Sequence, residues 1–362
     1  MYMNMLTAMF GCIYLFFLLS KCTAQSNDTL FDNVLLIISN FNSENDDDNH
    51  YLWKEFNYFI EKFNKKYDSL DDFRFRFSVF RENMLDIFEH NSEKHNFTLG
   101  MNHFTDLTHN EYRIFNGFTL YNKVDSRFSC EAFNPKEINA VDEVDWRDLD
   151  AVTSVKDQGK CGSCWTFSAT GAIEGAWAIS EQDLVDLSEQ ELVDCASGIK
   201  YGSHGCNGGQ MDGAFDFVIE NGQCQNKQYP YVSGETKTAE DCMNSCSPYA
   251  KISDCFDVEP NNQLALKQAV FQQPVAVAIE ADTFEFQSYS SGILDTPKCG
   301  TQLDHGVLVV GYGEEDGQKY WLVKNSWSEQ WGDNGYIKIA RSESTNDPGI
   351  CGIAMQPSFP VV

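Results

Sequence analysis

One cysteine occupies a position where its sulfur could act as a nucleophile. Gly159 and Gly162 interrupt regular structure ahead of Cys164, and the proline-free segment after it predicts a buried helix over residues 164–179. A thiol at a helix N-terminus faces unpaired backbone N–H groups and the positive end of the helix dipole, which both favour the thiolate. The pKa of such a thiol can fall from about 8.5 to well below neutrality. Cys164 is therefore the candidate nucleophile.

Two apolar segments nearer the C-terminus supply the groups that would activate this thiol. His305 opens the first segment, 141 residues after Cys164, and Asn325 closes the second, 161 residues after Cys164. A nucleophile, a base and a third group that orients the base are the parts of a Cys–His–Asn site. The sequence thus predicts nucleophilic catalysis.

With these residues in view, the sequence resembles the papain family, and within it the cathepsin L-like cysteine peptidases. Cys-Gly-Ser-Cys-Trp at 161–165 is a signature of that family around its catalytic Cys. Four further motifs follow the family's order: DWR at 145–147, GCNGG at 205–209, KNSW at 324–327 and WGDNGY at 331–336. The resemblance covers roughly residues 51–362.

The resemblance implies an α+β, papain-like two-domain fold. A helical left lobe and an antiparallel β-barrel-like right lobe would place Cys164 and His305 on opposite walls of a cleft. An N-terminal helical inhibitory prodomain would precede them. The expected boundaries are a signal peptide at 1–24, an acidic and Asn-rich linker at 25–50, the prodomain at 51–110, a cleft-crossing and processing segment at 111–139, and the peptidase domain at 140–362.

The prodomain is predicted from polar residues that recur at fixed spacing within an apolar helical pattern. Apolar residues recur at helical spacing from 50 to 91, which a plain helical hairpin would also explain. The more specific match is the family's spaced propeptide pattern, carried here by Asp72, Arg76, Phe80, Asn83, Ile87 and Asn91. Residues 100–106, GMNHFTD, match a second propeptide motif. The family resemblance implies that the following segment crosses the cleft in the reverse direction to substrate, with the mature chain starting near Ala140.

Composition limits the class of protein. With 42% hydrophobic and 14% aromatic residues, the chain of 362 residues is globular and long enough for two or three compact units. Its net charge of −28 argues against nucleic acid as a partner, since phosphates would be repelled. From Ala140 onward, 13 Lys and Arg face 34 Asp and Glu, a net charge of −21. We interpret this charge as mostly solvated surface, with an acidic working compartment as the alternative.

The N-terminus predicts entry into the secretory pathway. Residues 5–19 are apolar but too few to span a bilayer, and small residues before Gln25 suit signal-peptidase cleavage; an uncleaved anchor is the alternative. Thirteen cysteines suit an oxidising route. Asn27 and Asn96 lie in glycosylation sequons. The predicted location is a lysosome- or vacuole-like compartment or the extracellular space.

Disulfide pairing follows from the resemblance only in part. Once Cys12 and Cys22 leave with the signal peptide and Cys164 stays free, ten cysteines remain. The resemblance implies three bridges: Cys161–Cys206, Cys299–Cys351, and Cys195 with either Cys242 or Cys246. Cys224–Cys255 is the expected fourth. Cys130 and the unused member of the Cys242/Cys246 choice then remain, and removal of Cys130 on processing would leave the mature chain with one odd cysteine besides Cys164.

Residue roles are also carried over by resemblance. His305 would hold the thiolate as an ion pair and then protonate the leaving amine, while Asn325 orients the imidazole and Trp327 shields their hydrogen bond. Gln158 and the Cys164 N–H would bind the oxyanion, each donor contributing roughly 3 kcal/mol. The expected substrate-binding residues are Gly208, Gly209, Met211, Ala278, Asp304, Gly306, Trp327 and Gln356.

Two of these assignments bear on specificity. Gly208 and Gly209 would let the substrate backbone approach closely. Met211, Ala278 and Gly306 would line the S2 pocket with Gln356 at its floor, which favours a bulky apolar P2 side chain, although the polar Gln356 speaks against a purely aromatic preference. Without a His-His insertion to close the cleft, an endopeptidase is expected rather than an exopeptidase.

Other functions compete with the peptidase. Cys161 and Cys164 could form a redox pair, but no βαβ pattern precedes them. A zinc site built from His204, Cys206, Cys242 and Cys246 would lack paired ligand spacing. A non-catalytic papain-like binding protein and a prodomain acting as an inhibitor are the remaining alternatives. The prediction is a cysteine endopeptidase of proteins or peptides with no cofactor or metal ion, its own prodomain and cystatin-type proteins as inhibitors, and a monomeric mature form.

Overall fold

The computed structural model describes residues 47–118, 130–135, 140–243 and 246–362. The chain divides between Phe75 and Arg76 into two compact units, which are described separately. The predicted signal peptide and Asn27 lie outside the described residues, as does all but the end of the predicted linker. Within the described residues, no helix is both long and apolar enough to cross a membrane.

The first unit is held together by aromatic side chains. It contains helix α1 (Asp47–Lys62) and the start of α2 (Leu70–Ser92). The Phe73 ring meets those of Trp53 and Phe56 edge to face, with centroids 5.9 and 5.4 Å apart. The helical spacing of apolar residues predicted this pairing of helices.

In the second unit, polar groups of α2 fasten the chain that follows it. After α2 come strand β1 (Phe97–Leu99), helix α3 (His109–Tyr112) and a 3-10 turn (Arg113–Phe115). The Arg76 guanidinium makes a forked pair with Glu111 at 2.8 and 2.7 Å and lowers the pKa of that carboxyl to about 2.

Two asparagines of the propeptide pattern bind backbone. Asn83 Nδ2 donates to the carbonyl of Thr105 at 2.8 Å. Asn91 both donates to the Leu99 carbonyl and accepts from the Leu99 N–H, at 2.8 and 2.9 Å. The polar positions of the pattern therefore hold β1 and the following turn against α2.

The remaining helices include the one that carries the candidate nucleophile. They are α4 (Cys164–Glu181), α5 (Glu189–Cys195), α6 (Met211–Asn221), α7 (Ser233–Thr236), α8 (Gln263–Gln272) and α9 (Phe284–Gln287). Helix α4 is buried along most of its length and ends where Gln182 turns into the left-handed region. The predicted start at Cys164 is confirmed.

Helix α5 begins with half of a capping box. The Ser188 hydroxyl accepts from the Glu191 N–H at 3.0 Å, as the spacing predicts. The Glu191 carboxylate does not complete the box but accepts from the Cys224 N–H at 2.6 Å. A hydrogen bond to a distant residue therefore takes the place of the bond that the Glu191 carboxylate would accept from the Ser188 N–H in a complete box.

The remaining strands form one sheet among the described residues. They are β2 (Glu131–Ala132), β3 (Val144–Asp145), β4 (Asp254–Asp257), β5 (Val275–Ile279), β6 (Tyr289–Leu294), β7 (His305–Glu315), β8 (Gln318–Lys324), β9 (Tyr336–Ala340) and β10 (Ser358–Val361). The order is β1-β6-β9-β8-β7-β5-β10-β4-β2, with β3 on β7. A second 3-10 turn covers Ile350–Gly352.

This sheet corrects the expected antiparallel barrel-like lobe. It is open, because its end strands β1 and β2 do not pair with each other. The pairs β6–β9 and β2–β4 are parallel. Both end strands come from residues that precede Ala140, so the N-terminal part of the chain covers both edges of the sheet.

A largely buried cluster of charges ties α4, α5 and β8 together. Lys156 Nζ lies 2.9, 2.7 and 2.6 Å from carboxylate oxygens of Glu174, Asp186 and Glu189. The Thr153 hydroxyl donates to Glu174 at 2.6 Å and accepts from Lys324 Nζ at 3.0 Å. Burial alone would lower the pKa of Lys156, but the three carboxylates raise it above its usual range.

Five disulfides join described cysteines, and one expected bridge is wrong. The pairs are Cys130–Cys255, Cys161–Cys206, Cys195–Cys242, Cys224–Cys246 and Cys299–Cys351. The expected Cys224–Cys255 bridge does not form. Gln223 is hydrogen-bonded to Ala250, which brings Cys246 beside Cys224, whereas Cys255 lies on β4 beside β2.

The same pairing removes two of the alternative functions. Cys161 is bonded to Cys206, so it cannot form a redox pair with Cys164, the free cysteine of the described residues. The three cysteines of the suggested zinc site are all in disulfides, which leaves them no thiolate to bind a metal ion.

Candidate active site

The fold brings Cys164, His305 and Asn325 to one place. Cys164 begins α4, His305 begins β7, and Asn325 follows the last residue of β8. Because β7 and β8 are antiparallel neighbours, the start of one lies beside the end of the other. His305 Nε2 is 2.8 Å from Asn325 Oδ1, and both residues are buried. Among the described residues, His305 Nδ1 has no hydrogen-bond partner.

Gln158 is fixed at the same site by its amide. Its Oε1 accepts from the Ser326 hydroxyl at 2.7 Å, and its Nε2 donates to the carbonyls of Cys161 at 2.9 Å and Phe115 at 2.7 Å. Phe115 belongs to the segment before the peptidase domain. The Phe115 carbonyl therefore accepts a hydrogen bond from the Gln158 amide, the group that is expected to bind the oxyanion.

The segment around Gly117 covers the candidate nucleophile. The N–H groups of Gly117 and Gly306 each donate to Cys164 Sγ at 3.3 Å. The Gly117 carbonyl accepts from the Gly209 N–H at 3.0 Å, and the Phe118 N–H donates to the Asp304 carbonyl at 2.8 Å. The residues around Gly117 thus cross the cleft and bind both of its walls.

Covering the cleft changes the protonation of the site. Burial raises the pKa of the Cys164 thiol to about 12, against the hydrogen bonds from Gly306 and Gly117. Burial lowers the pKa of His305 to about 4. The sequence predicted a thiolate, but the covered site favours a neutral thiol beside a neutral imidazole.

This protonation state gives a pH dependence. In the uncleaved chain, alkylation of Cys164 by iodoacetamide is expected to rise about tenfold per pH unit between pH 7 and 10, because the thiolate fraction does so below a raised pKa. Stopped aliquots analysed by mass spectrometry give the rate, with Cys164→Ser as the blank. A rate that stays level with pH in the uncleaved chain would contradict the assignment.

Trp327 forms a lid over the histidine. Its ring stacks on His305 with centroids 4.5 Å apart. From the prodomain side, the rings of Phe104 and Tyr112 meet Trp327 edge to face, at 5.2 and 5.5 Å. Phe104 lies in the second propeptide motif. The same indole that stacks on His305 therefore also contacts the prodomain.

Three of the expected S2 residues, Met211, Ala278 and Gly306, lie beside the covered cleft. Met211 and Ala278 belong to one buried apolar cluster with Cys164 and Phe118. Gly306 is buried, and Gln356 is half-buried.

Gly208 and Gly209 end the GCNGG motif, and the Gly209 N–H and the Asp304 carbonyl both bind the residues that cross the cleft. Gly208 has φ +104°. A Cβ on Gly209 would lie 2.6 Å from the Trp165 ring, so a side chain does not fit there. Burial raises the pKa of Asp304 to about 7.

Several contacts of the site were not foreseen from sequence. Ser326, which holds Gln158, lies inside the KNSW motif, so its position next to Asn325 was a signal that could have found it. Phe115 and Gly117 carry no motif. Their contacts depend on how the segment crosses the cleft, which no local pattern encodes.

Sequence comparisons agree with this geometry. A family model described as papain family cysteine protease matches residues 140–361, and one described as cathepsin propeptide inhibitor domain (I29) matches residues 56–112. Probable cysteine protease RDL2 of Arabidopsis thaliana is 44% identical over 300 residues, which is 82% of this chain and 82% of the relative. Thiol protease SEN102 of a Hemerocallis species is also 44% identical, over 81% of each chain.

Solved proenzymes have the same fold. Digestive procathepsin L 3 from the larval midgut of Tenebrio molitor aligns with a TM-score of 0.77 and 36% identity over 86% of this chain and 99% of that chain. The recombinant stem bromelain precursor aligns with a TM-score of 0.77 and 38% identity, with the same coverage of each chain. The molecule is an autoinhibited cysteine endopeptidase that cleaves peptide bonds in proteins and is inhibited by its own prodomain. The chain belongs to the papain family of cysteine peptidases.

Proposed function

We propose that this endopeptidase works through an acyl-enzyme on Cys164, with His305 as its acid and base. The observation that carries the proposal is the hydrogen bond between His305 Nε2 and Asn325 Oδ1 at 2.8 Å. An imidazole that donates from Nε2 keeps Nδ1 available for the thiol. With the cleft open, the proton moves from Cys164 to Nδ1, and water around the site stabilises the resulting ion pair.

The reaction then proceeds in two halves. The Cys164 thiolate attacks the carbonyl carbon, and Gln158 Nε2–H together with the Cys164 N–H stabilises the oxyanion. The imidazolium of His305 gives its proton to the leaving amine, and the acyl-enzyme forms. His305 next takes a proton from water, which attacks the thioester, and the new carboxylic acid leaves. Trp327 keeps bulk water away from the His305–Asn325 bond.

We propose that inhibition depends on chain direction. Phe118 and Gly209 form a parallel bridge. A substrate would pair antiparallel to the same backbone, so the pro-segment fills the cleft without presenting a peptide bond to Cys164. Phe118, which shares a buried cluster with Met211 and Ala278, stands where a bulky apolar P2 side chain would bind.

We propose that a cut near Ala140 releases the peptidase domain during passage through the secretory pathway. Residues 1–24 would be a signal peptide, and the exposed Asn96 would carry a glycan, as would Asn27. The destination would be a lysosome- or vacuole-like compartment or the extracellular space. Cystatin-type inhibitors and a monomeric mature form complete the proposal.

The test is a time course at about pH 5 with a thiol reductant and an epoxide affinity label for cysteine peptidases. The expected result is processing near Ala140 and one label on Cys164, found by intact mass and peptide mapping and missing from Cys164→Ser. Processing without labelling would mean that another protease made the cut and that Cys164 is not the nucleophile. An unprocessed, unlabelled chain would contradict the proposal as a whole.

Adding a methyl group at Gly117 is expected to weaken the inhibition of the uncleaved chain by its own pro-segment. A Cβ on Gly117 would lie 1.9 Å from the Gly162 carbonyl oxygen, and overpacking of this kind costs about 1–3 kcal/mol. Gly117→Ala should therefore raise epoxide labelling of the uncleaved chain roughly ten- to a hundredfold. Lys94→Ala, at an exposed prodomain position, is the control. Equal labelling of Gly117→Ala and the parent chain would show that the close contact does not contribute to inhibition.

A further inference from the structure

The bridge between Cys130 and Cys255 joins two parts of the chain that maturation would separate. Cys130 precedes Ala140, and Cys255 lies in β4 of the peptidase domain. The other four bridges of the described residues join cysteines that both follow Ala140. A cut near Ala140 therefore breaks the backbone but leaves a covalent link across the cut.

The residues after Cys130 are built into the sheet. Glu131 and Ala132 form β2, which pairs parallel with Phe256 and Asp257 of β4. The Phe133 N–H continues the ladder by donating to the Asp257 carbonyl at 2.7 Å. The segment thus occupies the edge of β4, whose other edge pairs with β10.

Side-chain packing supports the same attachment. The Phe133 ring meets that of Phe359 edge to face at 5.1 Å and lies 6.4 Å from the Phe256 ring. Cys255 is fully buried and Cys130 is half-buried. Losing the segment would expose both the backbone edge of β4 and this aromatic surface, which is unfavourable in water.

We propose that the edge of β4, with Cys255, is a covalent binding site for residues 130–135 of the same chain, and that the mature enzyme keeps this peptide as an additional strand. The inference rests on the proposed cut near Ala140. Such a cut alone does not free the inhibitory part, which stays tethered through Cys130 at a high effective concentration. Release needs a second cut before Cys130 or reduction of the bridge.

The reduction is an ordinary thiol–disulfide exchange with a dithiol. One thiolate of the dithiol attacks a bridge sulfur, and the second thiol closes the dithiol into its own disulfide. Two electrons pass to the bridge, and Cys130 and Cys255 each end as a protonated thiol. Carboxylate oxygens of Asp212 and Asp257 lie within 4.8 Å of the Cys130 sulfur, and their negative charge opposes an incoming thiolate.

The first experiment does not depend on activity. The full-length Cys164→Ser chain, with free thiols blocked, is digested with trypsin without reduction. Cuts at Arg127 and Lys136, and at Lys251 and Lys267, should give peptides 128–136 and 252–267 joined by one disulfide and separated by a dithiol. A Cys130 peptide that is free, or joined to any other cysteine, would overturn the proposal.

The second experiment asks whether the peptide stays after the cut. The native Cys164→Ser chain is cut by limited trypsin treatment, and its intact mass is measured in denaturant before and after reduction. The expected result is a peptidase chain that carries the Cys130 peptide until the dithiol is added. The variant Cys130→Ser/Cys255→Ser should lose the peptide at once, whereas Cys224→Ser/Cys246→Ser, which lacks a different bridge, should retain it.

The self-matured wild type completes the test. Residues 130–135 found with the non-reduced mature enzyme, either bridged or still continuous with Ala140, support the proposal. Their absence from that sample overturns it. A chain that never matures itself contradicts the proposed activity, whereas retention of the peptide is still decided by the trypsin-cut Cys164→Ser chain.

Discussion

Replacing His305 with Ala is expected to lower kcat of the mature enzyme by roughly 10⁶-fold, the size of the effect when the base of a comparable catalytic triad is removed. The imidazole is the acid and base of both half-reactions, and its Nε2 is held by Asn325 at 2.8 Å. The measurement is peptide hydrolysis by mature enzyme under saturating substrate. His204→Ala, which changes an exposed histidine, should leave kcat within about twofold, as surface changes usually do.

The pH dependence of Cys164 alkylation distinguishes a loss of catalysis from misfolding of the variant. Without an imidazolium partner, the Cys164 thiol of mature His305→Ala should return toward the pKa of a free thiol, about 8.5. Alkylation at pH 5 should then become slow and should rise with pH, whereas the parent enzyme should react readily at pH 5. If the variant retained a tenth or more of the parent kcat, His305 would not be the acid and base of the reaction.

Replacing Gln158 with Ala is expected to cost roughly 10²- to 10³-fold in kcat, the usual effect of losing one oxyanion donor. The amide is held by Ser326 and Cys161, so it is fixed before substrate arrives. The loss should fall on kcat more than on KM, because the donor acts on charge that develops in the transition state. Steady-state kinetics of the mature variant give both constants.

The matched variant for this position is Ser326→Ala. It leaves the Gln158 amide present but removes the hydroxyl that fixes it at 2.7 Å, so kcat should fall by less than in Gln158→Ala. A pattern in which Ser326→Ala is the more damaging change would mean that Gln158 supports the fold and does not bind the oxyanion.

The elements that carry chemistry were readable from sequence because local rules determine them. Helix α4 begins at Cys164 because glycines end the preceding structure and the following residues are compatible with a buried helix. His305 and Asn325 meet because two apolar strands are joined closely enough to pair antiparallel. The pattern of Arg76, Asn83 and Asn91 identified the prodomain, and these side chains make the contacts that hold it.

The features that could not be predicted from the sequence depend on contacts between distant parts of the chain. Cysteine pairing is not deducible from sequence alone, and Cys255 pairs with Cys130 because a two-residue strand attaches to the edge of β4. The open sheet was missed for the same reason. Its outer strands β1 and β2 come from the N-terminal part of the chain, and nothing in their composition marks them as sheet edges.

The charge cluster around Lys156 makes the stability of the enzyme depend on acidity. Burial raises the pKa of Glu189, although Lys156 acts in the opposite sense, so the folded protein binds this proton more tightly than the unfolded chain does. The resulting stabilisation is complete below the unfolded pKa of about 4.3 and is lost as pH rises through the raised pKa of the folded state. The Glu189 carboxyl therefore contributes a fall in melting temperature between pH 5 and pH 7.5, and this contribution should be missing from Glu189→Gln when the two proteins are compared at both pH values. The buried Glu189 carboxyl thus favours the folded state most strongly in an acidic medium, and neutral surroundings remove this part of the stability.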